Sequence, residues 1–156
     1  MRTIEVTQAA PGLRVAVVVS KYNDFVTERL QAGAVAALAH AGVTGGDITV
    51  IKVPGSFEIP FAAQQAAASG GFDAVVCLGC LIRGATAHFE YIASAAAHGI
   101  TAAAAATGIP ITFGVLTTNS VEEAIERAGE GPANKGWEAA LAAVEMATVS
   151  RQLKQP

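Results

Sequence analysis

The sequence predicts a three-layer α/β/α fold, in which a four-stranded parallel sheet lies between two layers of helices. The first observation is that short apolar runs alternate with helical patterns along the chain, which is typical of parallel sheets covered on both faces. The second is that glycine follows most of the helical patterns, as expected at helix ends. The third is the length of 156 residues, which suits one core. We therefore expect a single domain over 1–156, of which 1–10 form an N-terminal arm.

The elements are predicted in a regular order. Apolar runs predict strands at 13–19, 48–53, 74–80 and 111–116. Helical patterns predict a first helix ending near His40, helices at 57–69, 88–106 and 121–128, and a last helix ending near Arg151. Asn23 or Asp24 is expected to cap the first helix, and Asn134 the last. Four strands in this arrangement suit a small flavodoxin-like fold.

Composition favours self-association over a membrane or nucleic acid as partner. Charged residues make up 15% of the chain, against about a quarter in typical soluble domains, so apolar surface is expected to lie between subunits. Residues 3–6 have strand character and are expected to pair with a sheet edge of another subunit. The net charge of −3 disfavours nucleic acid. The sequence contains no apolar run of about 18 residues and no signal-peptide core, which predicts a cytoplasmic protein without a membrane span.

Cys77 and Cys80 form a C-x-x-C pair, which can be a redox couple or half of a zinc site. Here the pair lies inside an apolar strand pattern rather than at a helix start, and its odd separation directs the two side chains to opposite faces of a strand. No second Cys or His pair supplies two more zinc ligands. The favoured interpretation is therefore two reduced structural thiols and no metal.

The stretch from Gly79 to His88 carries the most informative chemical pattern. An apolar strand enters it and an Ala-rich helical pattern leaves it. A strand, a glycine-flanked turn and a helix start can present backbone N–H groups to an anion. The turn also contains Arg83 and Thr86, and a histidine such as His88 can take and return a proton near neutral pH. Open α/β sheets bind their ligands at this end of the strands.

Aromatic residues are predicted at three strand ends. Tyr22, Phe57 and Phe113 occupy these positions, and aromatic faces can stack on a flat heterocycle. Core packing explains each of them alone, whereas the three together favour a pocket for a ring. Glu58 opens a helix, where an acid gains from the macrodipole; alternatively it accepts hydrogen bonds from a ligand.

Two arginines compete for a phosphate on spacing alone. Arg127 ends a short helical pattern, where a cation is favourable at the helix carboxyl end, or it holds phosphate through two hydrogen bonds. Arg83 lies in the glycine-flanked turn and can serve the same purpose. Lys135 is near the amino end of the last helix, which is unfavourable for a cation and suggests another use.

Taken together, these segments resemble the lumazine synthase family, and the resemblance covers nearly the whole chain. Each segment is weak alone, but their order and spacing are highly specific. The matching segments are 22–24, 53–60, 78–91, 113–118, 123–129 and 134–136.

The resemblance implies an enzyme of riboflavin synthesis that needs no cofactor. The family condenses 5-amino-6-ribitylaminouracil with 3,4-dihydroxy-2-butanone 4-phosphate, releases phosphate and water, and forms 6,7-dimethyl-8-ribityllumazine. By resemblance, Tyr22 stacks on the pyrimidine, His88 shuttles protons and Arg127 binds phosphate. The other residues implied to contact the pyrimidine or ribityl chain are Ser56, Phe57, Glu58, Cys80, Leu81, Ile82, Phe113 and Lys135, and the others at the phosphate are Gly84, Ala85 and Thr86.

The resemblance also implies a homo-oligomer. Phe113, Arg127 and Lys135 would complete the site of an adjacent subunit in a pentamer. Pentamers of the family can assemble further into an icosahedral shell of sixty subunits, and riboflavin synthase is the protein partner implied. The chain departs from many relatives at Gly131, where they carry a basic residue, and at Ala133, where they carry glycine.

Two other functions are compatible with parts of this pattern. A non-catalytic flavin-binding or shell-forming module could use the same fold and ring pocket, although a phosphate clamp beside His88 favours an enzyme. A flavodoxin-like electron carrier would need a phosphate loop rich in glycine and hydroxyl groups after the first strand, and residues 20–23 do not supply one.

Overall fold

A parallel sheet of four strands forms the centre of the molecule. The structure is a computed structural model that describes residues 1–9 and 11–156. The strands are β1 (Val15–Ser20), β2 (Ile48–Val53), β3 (Ala74–Ile82) and β4 (Ile111–Thr118), and their order across the sheet is β2-β1-β3-β4. All three strand pairs are parallel. The predicted α/β class and the four-stranded parallel sheet are confirmed.

Helices cover both faces of this sheet. They are α1 (Asp24–His40), α2 (Ile59–Ala68), α3 (His88–Thr107), α4 (Val121–Arg127) and α5 (Lys135–Leu153), with short 3-10 helices at Gly45–Asp47, Ser56–Glu58 and Gly131–Ala133. Alternate residues of β1 face opposite layers: Val17 packs in the core with α1 and α5, and Val18 packs in the core with α2 and α3. The result is the predicted three-layer arrangement.

Two strands run two residues further at their carboxyl ends than the sequence predicts. β3 ends at Ile82 rather than Cys80, and β4 ends at Thr118 rather than Leu116. The two strands pair with each other over these extra residues, and this mutual pairing is a tertiary contact that the local pattern does not contain. The turn that precedes α3 therefore begins at Arg83 and not at Gly79.

The two predicted asparagine caps have different outcomes. Asn134 caps α5, since its side chain accepts hydrogen bonds from the N–H groups of Gly136 and Trp137. Asn23 precedes α1, but its side chain makes no capping hydrogen bond. The prediction for Asn23 is wrong because its amide is used elsewhere, as a donor to the carbonyl of Cys80 in β3.

The N-terminal arm lies along α5 of its own chain. The N–H of Thr7 donates to Thr148 Oγ1 at 3.2 Å, and the side chain of Gln152 donates to the carbonyl of Glu5 at 2.8 Å. Residues 1–9 form no strand, and Ala10 lies outside the described residues. Pairing of residues 3–6 with another subunit stays a prediction. No helix of the described chain combines the length and apolarity needed to cross a membrane.

Candidate active site

A pocket of about 860 Å³ opens at the carboxyl ends of β1, β2 and β3. Its size lies in the range usual for small-molecule sites. We call it the first pocket. Its lining residues are Tyr22, Asn23, Pro54, Gly55, Ser56, Phe57, Glu58, Cys80, Leu81, Ile82, Gly84, Thr86, His88, Phe89, Tyr91 and Ile92. Segments that follow three of the four strands, β1, β2 and β3, thus meet here.

One wall of the first pocket is aromatic. Tyr22 follows β1 and is 71% exposed, and Phe57 follows β2 and is 61% exposed. The backbone N–H of Tyr22 donates to the carbonyl of Pro54 at 3.1 Å, which ties the two loops together. Two large aromatic faces open to solvent at a strand end are a surface on which a flat ring can stack.

The loop after β2 contributes one hydroxyl and one carboxylate. Ser56 is buried beneath the pocket beside Gly79, where a Cβ would lie 2.7 Å from Ser56 Oγ. Glycine at position 79 is therefore what allows Ser56 to approach β3. Glu58 stands at the N-cap position of α2, but its side chain makes no capping hydrogen bond. Its carboxylate is half-buried and lines the pocket, so it can accept hydrogen bonds from hydroxyl or N–H groups.

The floor of the first pocket comes from the end of β3. Cys80 and Leu81 are buried and Ile82 is half-buried. The prediction that the two cysteines face opposite ways is confirmed, because Cys77 packs in the core with α2 and α3 while Cys80 packs in the core with α1 and α5. Burial raises the pKa of Cys77 to about 12 and that of Cys80 to about 11, so both thiols are neutral at pH 7. Within 1–9 and 11–156, no three His, Cys, Asp or Glu residues are grouped as metal ligands.

The turn between β3 and α3 forms the rim of the pocket. Gly84, Ala85 and Thr86 are exposed, and the first and last of these line the pocket. His88 is the first residue of α3 and also lines the pocket; its backbone N–H lies 3.4 Å from Thr86 Oγ1. The amino end of this 20-residue helix attracts anions through its free N–H groups and its dipole.

Arg83 anchors this turn to its surroundings. Its guanidinium donates to Glu90 Oε1 at 2.7 Å and to Asn119 Oδ1 at 3.1 Å, and it lies 4.8 Å from the centre of the Phe89 ring. Its backbone N–H donates to the carbonyl of Thr118 at 2.8 Å. The side chain already has partners on three sides, which makes Arg83 the weaker of the two arginines as a phosphate ligand.

A second groove, of about 540 Å³, contains the remaining predicted residues. Phe113, Arg127 and Lys135 line it together with Glu138, which pairs with Lys135 at 2.7 Å. Arg127 donates to the carbonyl of Glu123 at 3.3 Å, and among the described residues it forms no ion pair with a carboxylate. We call this the second groove.

The prediction that Phe113 shares a pocket with Tyr22 and Phe57 is wrong within one chain. Phe113 is the third residue of β4, where it is level with Cys77 of β3, whereas the pocket begins at Cys80. The strand continues to Thr118, so its carboxyl end lies five residues beyond Phe113. Phe113 therefore lies with Arg127 and Lys135, away from the first pocket.

Sequence reasoning missed several lining residues. Tyr91 and Ile92 lie three and four positions after His88 on α3, so helical spacing brings all three to one face. That spacing is visible in the sequence. Asn23 was expected to act as a helix cap, and nothing local indicates that its side chain reaches Cys80, 57 positions away.

The fold and the first pocket define an α/β protein with a pocket of small-molecule size, lined by aromatic and polar side chains, at the carboxyl ends of its parallel strands. The family model for 6,7-dimethyl-8-ribityllumazine synthase matches residues 12–151. A 6,7-dimethyl-8-ribityllumazine synthase of Syntrophus aciditrophicus (strain SB) is 51% identical over 144 residues, which are 92% of this chain and 94% of the relative. One of Desulfatibacillum aliphaticivorans is 47% identical over 153 residues, 98% of this chain and 99% of the relative. The chain belongs to the 6,7-dimethyl-8-ribityllumazine synthase family.

Proposed function

We propose that this protein forms 6,7-dimethyl-8-ribityllumazine in riboflavin biosynthesis. It condenses 5-amino-6-(D-ribitylamino)uracil with 3,4-dihydroxy-2-butanone 4-phosphate and releases phosphate and water. Family membership over nearly the whole chain supports this function. The structural observation that supports it is the first pocket, where aromatic side chains, a carboxylate and a histidine at the start of a helix lie together.

The chemistry needs few groups from the protein. The amine of one substrate attacks the ketone of the other to form an imine and release one water. Phosphate is then eliminated, and the ribitylamino nitrogen closes the ring on the remaining carbonyl with loss of a second water. The substrates supply most of this reactivity, so the protein mainly holds them together and moves protons. His88 is the lining residue suited to proton transfer because its ring can both donate and accept.

The pyrimidine and its ribityl chain occupy the aromatic side of the first pocket. Tyr22 stacks on the ring, and Phe57 packs beside it. The Ser56 hydroxyl donates to or accepts from the ribityl hydroxyl groups, and the Glu58 carboxylate accepts hydrogen bonds from them. Cys80, Leu81 and Ile82 contribute backbone polar groups and an apolar floor, which is consistent with their burial.

The phosphate of the second substrate lies at the amino end of α3. Gly84, Ala85 and Thr86 offer backbone N–H groups and one hydroxyl there. The counter-charge comes from Arg127 of a neighbouring copy, and the same copy contributes its Phe113 and Lys135 to the pyrimidine side of the site. We infer a neighbouring copy because, within one chain, these three residues line the second groove and not the first pocket.

A homopentamer is the assembly that this arrangement favours. Large apolar side chains that a monomer would leave in water include Phe61, at 73% exposure, and Tyr91, at 77%. Contact between copies would cover such surface and bring the second groove of one chain to the first pocket of the next. The same proposal includes a sixty-subunit icosahedral shell, a cytoplasmic location and riboflavin synthase as a partner.

Turnover with both substrates tests the function directly. Purified protein is mixed with the two compounds, and formation of the fluorescent lumazine is followed against a reaction without protein. Product formation above that background is expected. Binding of the pyrimidine without any turnover would instead favour the non-catalytic module, whose ring pocket needs no proton-transfer group.

Mixing two impaired variants tests whether neighbouring copies share a site. His88→Ala damages the first pocket and Arg127→Ala the second groove. If each site joins two chains, co-refolding equal amounts restores a fully normal site in about a quarter of the positions. Activity well above the mean of the two variants is expected, and activity equal to that mean would show that each chain builds its own site.

A further inference from the structure

We propose that Asn23 is a positioning residue for the first pocket: it holds the loop that carries Tyr22 against the end of β3. This inference rests on the proposed function for its kinetic consequence, but the contact itself does not. Asn23 is not offered as a group that touches the reacting atoms. Three observations support the role, namely its backbone conformation, its hydrogen bond and the way β1 leaves the sheet.

The backbone at position 23 is left-handed. Asn23 has φ 62° and ψ 46°, and it is the one non-glycine residue with positive φ among those that the structure describes. Most side chains are unfavourable in this region, while asparagine is tolerated and glycine is free of strain. The conformation turns the chain sharply between β1 and α1, while the N–H of Tyr22 still donates to the carbonyl of Pro54 after β2.

The side chain of Asn23 replaces a strand neighbour that is missing at this point. β1 pairs with β3 only as far as Val19 and Leu78. β3 then continues to Ile82 with β4 alone. Asn23 Nδ2 donates to the carbonyl oxygen of Cys80 at 2.9 Å, two residues beyond the last β1–β3 pair.

The same loop is tied to β2 on its other side. The N–H groups of Lys21 and Tyr22 donate to the carbonyls of Val53 and Pro54, at 2.8 Å and 3.1 Å. The short segment 21–23 thus bridges the ends of β2 and β3, which are the two edges of the first pocket. Since the Tyr22 ring is largely exposed and gains little support from packing, its position depends on this backbone.

Asparagine meets both requirements, whereas glycine and aspartate each meet only one. Glycine adopts the left-handed conformation but has no donor. An ionised aspartate has nearly the same shape, yet it only accepts hydrogen bonds and would place a negative charge against the Cys80 carbonyl. Asn23→Gly therefore removes the hydrogen bond without adding strain, and Asn23→Asp replaces attraction by repulsion at almost constant volume.

The kinetic consequence is specific to one substrate. A loosened Tyr22 weakens stacking on the pyrimidine and leaves the turn between β3 and α3, residues 83–87, unchanged. For Asn23→Gly we expect KM for the ribitylaminouracil to rise about tenfold, as for one lost hydrogen bond, with KM for the phosphorylated ketone within about twofold of wild type. Asn23→Asp should raise the first KM further.

Asp73 offers a matched control at the opposite end of the same strands. Its carboxylate accepts the backbone N–H of Arg14 at 2.8 Å, and so it also ties the β1 and β3 segments together. Asp73→Ala should lower stability to urea without a selective rise in either KM. A selective rise in the pyrimidine KM in this control, or none in Asn23→Gly, would overturn the proposal.

Hydrogen exchange followed by mass spectrometry separates this proposal from the enzymatic one. The peptide that contains Cys80 should exchange its amide hydrogens faster in Asn23→Gly and Asn23→Asp than in the wild type, whatever reaction the protein performs. Unchanged exchange of this peptide in both variants would refute the positioning role of Asn23. If the wild type makes no lumazine but the two variants still exchange faster than it does, the proposed function is refuted and the positioning role of Asn23 stands.

Discussion

His88 and His98 lie on the same helix but in different surroundings. His88 lines the first pocket at the start of α3, whereas His98 Nδ1 lies 2.9 Å from the carbonyl of Ser94 on the exposed part of that helix. Of these two histidines, His88 is the one placed to transfer a proton within the first pocket. His98 therefore serves as a control on the same helix.

Replacing His88 by Ala should slow turnover without abolishing it. General acid–base help is worth about 100- to 10,000-fold, and the low end is expected because the substrates react without much assistance. Steady-state fluorescence assays of His88→Ala and His98→Ala measure this, with normal rates expected for His98→Ala. Complete loss of activity in a folded, assembled His88→Ala protein would contradict a proton-transfer role of this limited size.

Arg127→Ala should mainly impair use of the phosphorylated ketone. A charge-assisted hydrogen bond to phosphate contributes about 1.5–3 kcal/mol, so affinity for this substrate should fall about 10- to 150-fold while pyrimidine affinity changes far less. Calorimetry with each ligand measures both. An equal loss of affinity for both ligands would indicate a structural role for Arg127. Normal affinity for the ketone would instead favour Arg83 as the phosphate ligand.

The buried thiols give the stability of the protein a pH dependence. Burial raises the pKa of Cys77 from its ordinary value of 9.0 to about 12. The thiol therefore stays neutral in the folded state but ionises in the unfolded state above pH 9, so its contribution to stability is complete below pH 9 and is lost as pH rises towards 12.

Comparing wild type with Cys77→Ala isolates this effect. Between pH 8 and pH 10, the free energy of unfolding of the wild type should fall by about 1.4 kcal/mol more than that of the variant. Urea unfolding under reducing conditions, at one protein concentration, supplies both values. The constant cost of the smaller side chain cancels in the difference, and parallel pH curves for the two proteins would argue against a raised pKa.

At the scale of elements, the start of α5 is fastened to α1 by one asparagine. Asn134 Oδ1 accepts the N–H of Gly136 at 2.7 Å, and its Nδ2 donates to the carbonyls of Arg29 and Gly129, at 3.2 Å and 2.8 Å. A side chain that is buried and fully used in this way fixes the relative position of two helices. Lys135 of the second groove lies within this turn.

Gly136→Ala should destabilise the packing of α5 on α1. A Cβ at this position would overlap the carbonyl oxygen of Leu30 in α1, and forced overpacking of this kind costs about 1–3 kcal/mol. Gly46→Ala is the control, because a Cβ there meets nothing within 4 Å. Chemical denaturation of the two variants measures the difference, and equal stability would mean that the helices can separate without cost.

At the scale of the whole molecule, the expectation that the protein assembles rests on its surface rather than on its fold. Only 15% of the residues are charged, and large apolar side chains such as Phe61 and Tyr91 are exposed in the single chain. The loop between α4 and α5 is short, and by family resemblance short loops here favour the complete shell. Pro132 acts in the opposite direction, since it fixes φ within this loop.

We expect at least a pentamer, with the sixty-subunit shell the favoured outcome. Sedimentation velocity at neutral pH in phosphate buffer, over a range of protein concentrations, measures the assembly. A single species of pentamer size at every concentration would refute the shell and leave the shared active site intact. A stable, active monomer would refute both.

Much of the fold was predictable because its causes are local. Alternating apolar runs and glycine stops located all four strands and five helices, since periodicity and helix-ending chemistry are written in neighbouring residues. The same holds for the first pocket: Tyr22, Phe57 and His88 follow directly after strands or begin a helix, and parallel strands bring such positions to one edge.

The sequence by itself therefore determined the class of fold, the order of its elements and the contributions of the segments after β1, β2 and β3 to the first pocket. Tertiary structure decided what depends on distant partners. It extended β3 and β4 to Ile82 and Thr118 because each strand pairs with the other. It directed Asn23 to Cys80 rather than to its own helix, and it separated Phe113 from Tyr22 because a strand's end is set by its neighbour's length and not by its own residues.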